Sequence, residues 1–455
     1  MEYGVISLIP ALAVLVLALL TKRTFEALVG GTLIGYMIVD KQHFFSGFAD
    51  SALAVMADPT IGWIILVCGL FGSLISLLIK SGGALAFGDF LMRYIKSKKG
   101  SLLASWALGL VIFIDDYLNA LTVSSAMQKL TDKYKVSREM LAYVVDSTAA
   151  PVCILVPFST WAIFVAGLLE KSGAAAKGQG LAAYIQAIPY MFYGWAAVLL
   201  VPLVALGIIP LVGGMKRAER RAELTGQVIP TGSENISLVN SEVAAAAQQQ
   251  PKVYNFIVPI LILIGATWYF GVDAFKGVLV ATAAAMAMFW AQRLISMQDI
   301  FDTFFEGFKS MIYPLAIVMV SFMLKNVNDS LGLTNYVIDS VKPLMNASYL
   351  PVVAFISLSL VTFATGSFWG VYAVALPIVI PLAQAMDASL PLAIGAVVSS
   401  GAFGSHSCFY GDSTVLSSAG SGCNNMDHAL TQLPYAILSA VIASLVFLVV
   451  GVIVG

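Results

Sequence analysis

Charge is what this chain has least of. Asp, Glu, Lys and Arg make up 11% of its 455 residues, and the formal net charge is −1. A soluble domain carries about 25% charged residues. With 59% hydrophobic residues and a mean hydropathy of +0.90, the composition therefore excludes an ordinary soluble domain and implies an all-α, multi-pass membrane protein. So small a net charge implies nothing about partners; no nucleic acid is expected among them. Cysteine is scarce too. Cys68, Cys153, Cys408 and Cys423 sit in apolar or Gly/Ser-rich segments with no CxxC or metal spacing, which reads as buried free thiols. No GxxxxGK[ST] segment occurs, so ATP-driven pumping by this chain has no support. The first apolar run, 5–20, has no basic lead and no small-residue cleavage site, so it reads as a retained helix.

Against that background two hexapeptides stand out, 145–150 (VDSTAA) and 411–416 (GDSTVL). Each sets a carboxylate and two hydroxyls inside an apolar region. An ionisable residue at membrane depth costs about 2.5–3.5 kcal/mol on insertion scales, which makes it a candidate functional site. Asp146 and Asp412 stand 412 − 146 = 266 positions apart, as in a duplicated chain with one half-site per copy, the plan of many secondary transporters. A polar stretch, 215–252, divides the halves 1–214 and 253–455. The halves also open alike, with Tyr3, Pro10 and Phe25 matched by Tyr254, Pro259 and Phe275.

Basic loops set the expected topology. Lys22-Arg23 and the clusters 93–99, 129–138 and 216–221 should face the cytoplasm. Spans 4–20, 25–39 and 61–79 then alternate cleanly. Segment 101–130 is basic on both flanks, so it is predicted to enter and leave on the cytoplasmic side as a re-entrant hairpin with 114–119 at its tip. Such backbone survives at membrane depth only if it is buried in protein or lines a watery cavity. Segment 139–169 exceeds the roughly 20 residues of one crossing, and Pro151 should break it near Asp146. A span at 191–215 closes the first half. The second half is expected to repeat the plan from the opposite side: spans 254–271, 276–292 and 310–325, a hairpin 351–385, a broken helix 390–427 and a last span from Pro434. Five crossings per half make inverted repeats with both termini outside.

The candidate chemistry follows from those placements. Asp115 and Asp116 are adjacent at the first tip, where one is expected to cap the following half-helix and the other to line an ion site with Asn119. Asp116, three residues before Asn119, is the expected site-facing member. Two neighbouring carboxylates repel when both are ionised, so the pair is expected to titrate as a coupled unit. Asp146, Ser147 and Thr148, with Asp412, Ser413 and Thr414, offer only oxygens, which suit a hard cation such as Na+ beside the free carbonyls of an unwound helix. Interhelical hydrogen bonding is the plainer use of such hydroxyls. Thr365 and Ser367 lie at the second tip, and His406 is a candidate proton-exchanging group. His428, beside Asp427, is expected at the membrane interface.

The segments 113–119 (FIDDYLN), 146–152 (DSTAAPV), 157–161 (PFSTW), 411–418 (GDSTVLSS), 422–428 (GCNNMDH) and 431–435 (TQLPY) resemble the NhaC family of sodium/proton antiporters, in the wider ion transporter superfamily. The resemblance covers essentially the whole chain. It implies inverted repeats, each with a re-entrant hairpin and a broken helix, and ion-site candidates Asp115, Asp116, Asn119, Asp146 and Asp412. At 405–411 (SHSCFYG) the chain departs from the Ser-Pro turn of many relatives, and the family includes exchangers of organic solutes such as malate and lactate.

The sequence reading is therefore a cytoplasmic-membrane secondary transporter, not an enzyme. It is coupled to Na+, H+ or both, with Na+/H+ antiport by alternating access as the leading reading, and needs no cofactor. Sodium-coupled movement of a small organic solute, enclosed by aromatics such as Tyr117, Phe158, Trp161, Phe368 and Trp369, stands as the alternative. The expected assembly is a homodimer. An intramembrane aspartyl protease would also use two aspartates on separate helices. Its GxGD pattern is missing, because Phe409 stands where the first Gly belongs.

Overall fold

The computed structural model describes residues 3–21, 23–113, 115–157, 159–233, 252–271, 273–341, 343, 346–366 and 368–454. It is helical throughout, with no strand among the described residues. Among the described residues seven helical segments are long and apolar enough to cross a membrane; Gly4–Val14, Tyr254–Tyr269 and Leu350–Thr365 are apolar but shorter. Helices with such uniformly apolar surfaces cannot be sorted by one greasy stripe, so small residues decide where they cross. Pro59–Lys80 of the first half meets Met297–Ser310 of the second at Gly72 and Gly307. A Cβ on either glycine would run into the other's backbone, and Ser73 Oγ reaches Phe304 O at 2.8 Å beside them.

The first hairpin consists of Lys98–Val111 and Asp116–Lys133. Its base is closed by the Tyr134 hydroxyl, which donates to Ile95 O at 2.7 Å, so the chain leaves beside the point where it entered. Ser97 caps the first arm by accepting from Gly100 N. The second hairpin, Leu350–Thr365 and Phe368–Ala385, turns at Gly366 with φ 67°.

The segment after the first hairpin breaks twice rather than once. Arg138–Thr148 stops at Ala149, the short Ala150–Leu155 follows with Pro151 in its first turn, and Thr160–Lys171 restarts behind the Ser159 cap. In the second half Leu390–Ser407 and Asp412–Ser421 flank a break at 408–411, and Gly422 ends the second piece in a left-handed conformation at φ 72°. The last helix then begins at Asn425, not at Pro434, and runs unbroken to Val454 with Pro434 inside it. Gly422 resets the chain direction there, so nine further residues join the last helix and bring polar side chains with them.

The polar divider is also partly ordered. Gly213–Thr225 is a helix that buries Met215, Ala218, Glu219 and Ala222. Lys98 Nζ lies 2.5 Å from Glu219 Oε2 and 2.6 Å from Glu223 Oε1. Burial disfavours the Lys98 charge, but the two carboxylates outweigh it and its pKa is raised. Residues 234–251 of the divider lie outside the described residues.

Candidate functional site

The hairpin tip is built by a cap. Asp115 Oδ1 accepts from the backbone N–H of Tyr117 at 3.0 Å and of Leu118 at 3.1 Å, and its Oδ2 accepts from Thr160 Oγ1 at 2.9 Å. Asp115 is therefore the capping member of the pair, satisfied on both oxygens. Asp116, in the first turn of the same arm, is 2% exposed. Its Oδ1 accepts from Trp161 Nε1 at 3.0 Å, and its Oδ2 has no partner. Asn119 Nδ2 lies 2.7 Å from Gly109 O, 2.7 Å from Ile112 O and 2.8 Å from Thr148 O. It ties the C-terminal ends of two helices together, while its Oδ1 is buried and unpartnered.

The two Asp-Ser-Thr triplets meet. Ser413 Oγ donates to Asp146 Oδ1 at 2.7 Å. Asp146 Oδ2 accepts from Gln432 Nε2 at 2.7 Å and faces His428 Nε2 at 3.1 Å. Asp412 Oδ2 accepts from the Tyr117 hydroxyl at 2.6 Å, and its Oδ1 accepts from Ser405 Oγ at 3.1 Å and Ser413 N at 2.9 Å. Each half thus supplies donors to the other's carboxylate: Ser413 to Asp146, Tyr117 to Asp412.

The remaining candidates divide between this network and local bonding. Ser147 Oγ is 2.9 Å from His406 Nε2, and His406 Nδ1 is 2.6 Å from the Tyr193 hydroxyl. Thr414 Oγ1 spans the second break to Ser405 O at 2.9 Å. Thr148 Oγ1 turns back to Val144 O and Val145 O in its own helix, and Thr365 Oγ1 lies 3.4 Å from Thr362 O. These two hydroxyls do what the plainer reading of membrane Ser/Thr residues expects. Ser367, like Ile114 and Phe158, lies outside the described residues.

One expectation is reversed. His428 is 0% exposed and touches Asp146, because the last helix starts nine residues before Pro434 and carries His428 into the core. Gln432, which sequence reasoning did not single out, follows it by four residues and so shares its helix face. A polar i, i+4 pair, His428 and Gln432, leading into a long apolar run is the signal that could have found both. The tip aromatics pack on one another: the Trp161 and Phe368 rings stack with centroids 3.6 Å apart, and Trp161 and Trp369 lie 6.4 Å apart.

A sequence profile of the Na+/H+ antiporter family matches residues 152–452. An uncharacterized protein of Haemophilus influenzae is 29% identical over an alignment covering 98% of this chain and 90% of its own length.

Proposed function

This chain belongs to the Na+/H+ antiporter family, and from that premise we propose that it exchanges sodium for protons by alternating access, with Asp116 as the carboxylate that takes either ion. The halves 1–214 and 253–455 act as inverted repeats about the linker 215–252. The observation that carries this reading is the unpartnered Oδ2 of a buried aspartate at the break between two half-helices. A carboxylate removed from water and left without a compensating charge is too costly to persist. It must hold a proton or a cation. One oxygen cannot hold both, and that competition is the coupling an exchanger needs.

Asn119 Oδ1, one helical turn further along the arm, would add a neutral oxygen to the cation form. Asp115 would keep the half-helix capped in both forms. On the other side Tyr117 follows Asp116 directly and holds Asp412, so movement of the tip carries to the second half's triplet. Proteoliposomes with imposed sodium and pH gradients test the reading. Sodium uptake driven by an outward proton gradient is expected from wild type and lost in Asp116→Asn. Gradient-driven exchange that survives in Asp116→Asn would overturn it.

A further inference from the structure

Gln432 Oε1 and His428 Nδ1, on two residues that touch Asp146, have no partner, and neither has Ser417 Oγ on the helix that carries Ser413. All three residues are completely buried. Gln432 directs its Nε2 at Asp146 Oδ2 and also at His406 O. Both are acceptors, so the amide orientation is settled and Oε1 is the free end. Bond lengths of about 1.23 and 1.33 Å place an amide's oxygen about 2.2 Å from its nitrogen. Added to the 2.7 Å bond, this keeps Gln432 Oε1 within about 5 Å of Asp146 Oδ2. Oxygens at that separation can share one hard cation lying about 2.4 Å from each. Ser417 follows Ser413 by four residues on the helix Asp412–Ser421, so it shares the face from which Ser413 reaches Asp146.

The charge balance points the same way. Asp146 is 0% exposed. Its direct partners are a hydroxyl, an amide and an imidazole. Arg138, on the same helix, pairs with Asp132, and Arg221 pairs with Glu139. With no Lys or Arg beside it, the counter-charge of this buried carboxylate must come from a bound cation or from a proton on His428.

We propose a second sodium site, separate from the hairpin tip, in which the Asp146 carboxylate, Gln432 Oε1 and Ser417 Oγ take the cation and the last helix supplies its closing ligand. The site joins three helices: Arg138–Thr148 of the first half, and Asp412–Ser421 and Asn425–Val454 of the second. His428 Nε2 and Ser413 hold the carboxylate in place. This inference rests on the sodium coupling proposed above, but not on Asp116 being the exchanging group.

Equilibrium binding of radioactive sodium to the full chain in lipid nanodiscs tests it, comparing wild type with Gln432→Ala, Ser417→Ala and Asp116→Asn. Wild type is expected to show two classes of bound sodium. Gln432→Ala should weaken one class by about tenfold or more, in the range seen when a support of a metal ligand is removed. Ser417→Ala should weaken the same class by less, and it covers the case in which Gln432→Ala fails to fold. Asp116→Asn should remove the other class. If the Gln432→Ala and Ser417→Ala isotherms superpose on wild type, the proposal fails and the charge beside Asp146 is a proton on His428. A single wild-type class abolished by Asp116→Asn would overturn it equally. An isotherm unchanged in Asp116→Asn but weakened in Gln432→Ala would instead overturn the role given to Asp116 and leave this site standing.

Discussion

Ser413 Oγ donates to Asp146 Oδ1 at 2.7 Å across 267 positions of sequence. One half's hydroxyl thereby completes the other half's carboxylate. The bond is short and its acceptor is buried, which places it among hydrogen bonds to charged groups worth about 1.5–3 kcal/mol. Ser413→Ala should therefore weaken sodium-dependent transport by roughly tenfold, read as the sodium concentration for half-maximal rate. Ser147→Ala removes a contact to His406 rather than to a carboxylate, so its effect should be smaller. Equal effects would mean that the Ser413 bond is structural only.

Asp115 and Asp116 should separate cleanly by substitution. Asn caps a helix about as well as Asp, so Asp115→Asn should fold and transport, whereas Asp115→Ala should cost about 1 kcal/mol of stability. Asp116→Asn should leave thermal stability nearly intact while abolishing proton-driven sodium exchange at every pH, as the exchanging role proposed for this carboxylate requires. A wild-type pH profile in Asp116→Asn would refute the assignment.

Tyr117→Phe keeps the ring and deletes the hydroxyl that holds Asp412 Oδ2. A buried acceptor that loses its partner costs about 1–3 kcal/mol, so the midpoint of thermal unfolding should fall measurably. An unshifted midpoint would show that Asp412 finds another donor.

At the base of the first hairpin, Arg138 makes a two-pronged pair with Asp132 at 2.8 Å on each side and donates to Ser421 O at 2.6 Å. Arg138→Ala strands a carboxylate that is 32% exposed, while Ser421 O keeps only its longer bond from Gln128 Nε2 at 3.1 Å. The expected loss is about 2–3 kcal/mol, below the fully buried range because water reaches Asp132. Thermal unfolding in detergent checks it, and a loss near zero would show the pair to be dispensable.

The folding-back of the hairpin has a membrane consequence. Lys96 and Lys135 are exposed and flank its base, and the native cysteines are buried. Single cysteines at these two positions should both react with a membrane-impermeant reagent from the cytoplasmic side only. Reaction of one from outside would make 101–130 a full crossing.

Composition and periodicity carried the membrane class and the helical architecture, because a bilayer demands apolar length and leaves the backbone few ways to satisfy itself. Local chemistry also made Asp115 readable as a cap candidate, since capping involves only the next few residues. Tertiary structure alone decided who touches Asp146. Gly422 turns the chain so that the last helix starts early, and only then does the His428–Gln432 face meet a carboxylate 282 and 286 residues away. The same holds for Tyr117 and Asp412. Sequence patterns report spacing along one helix, whereas these contacts depend on how small residues let several similar helices cross, and no periodicity records that.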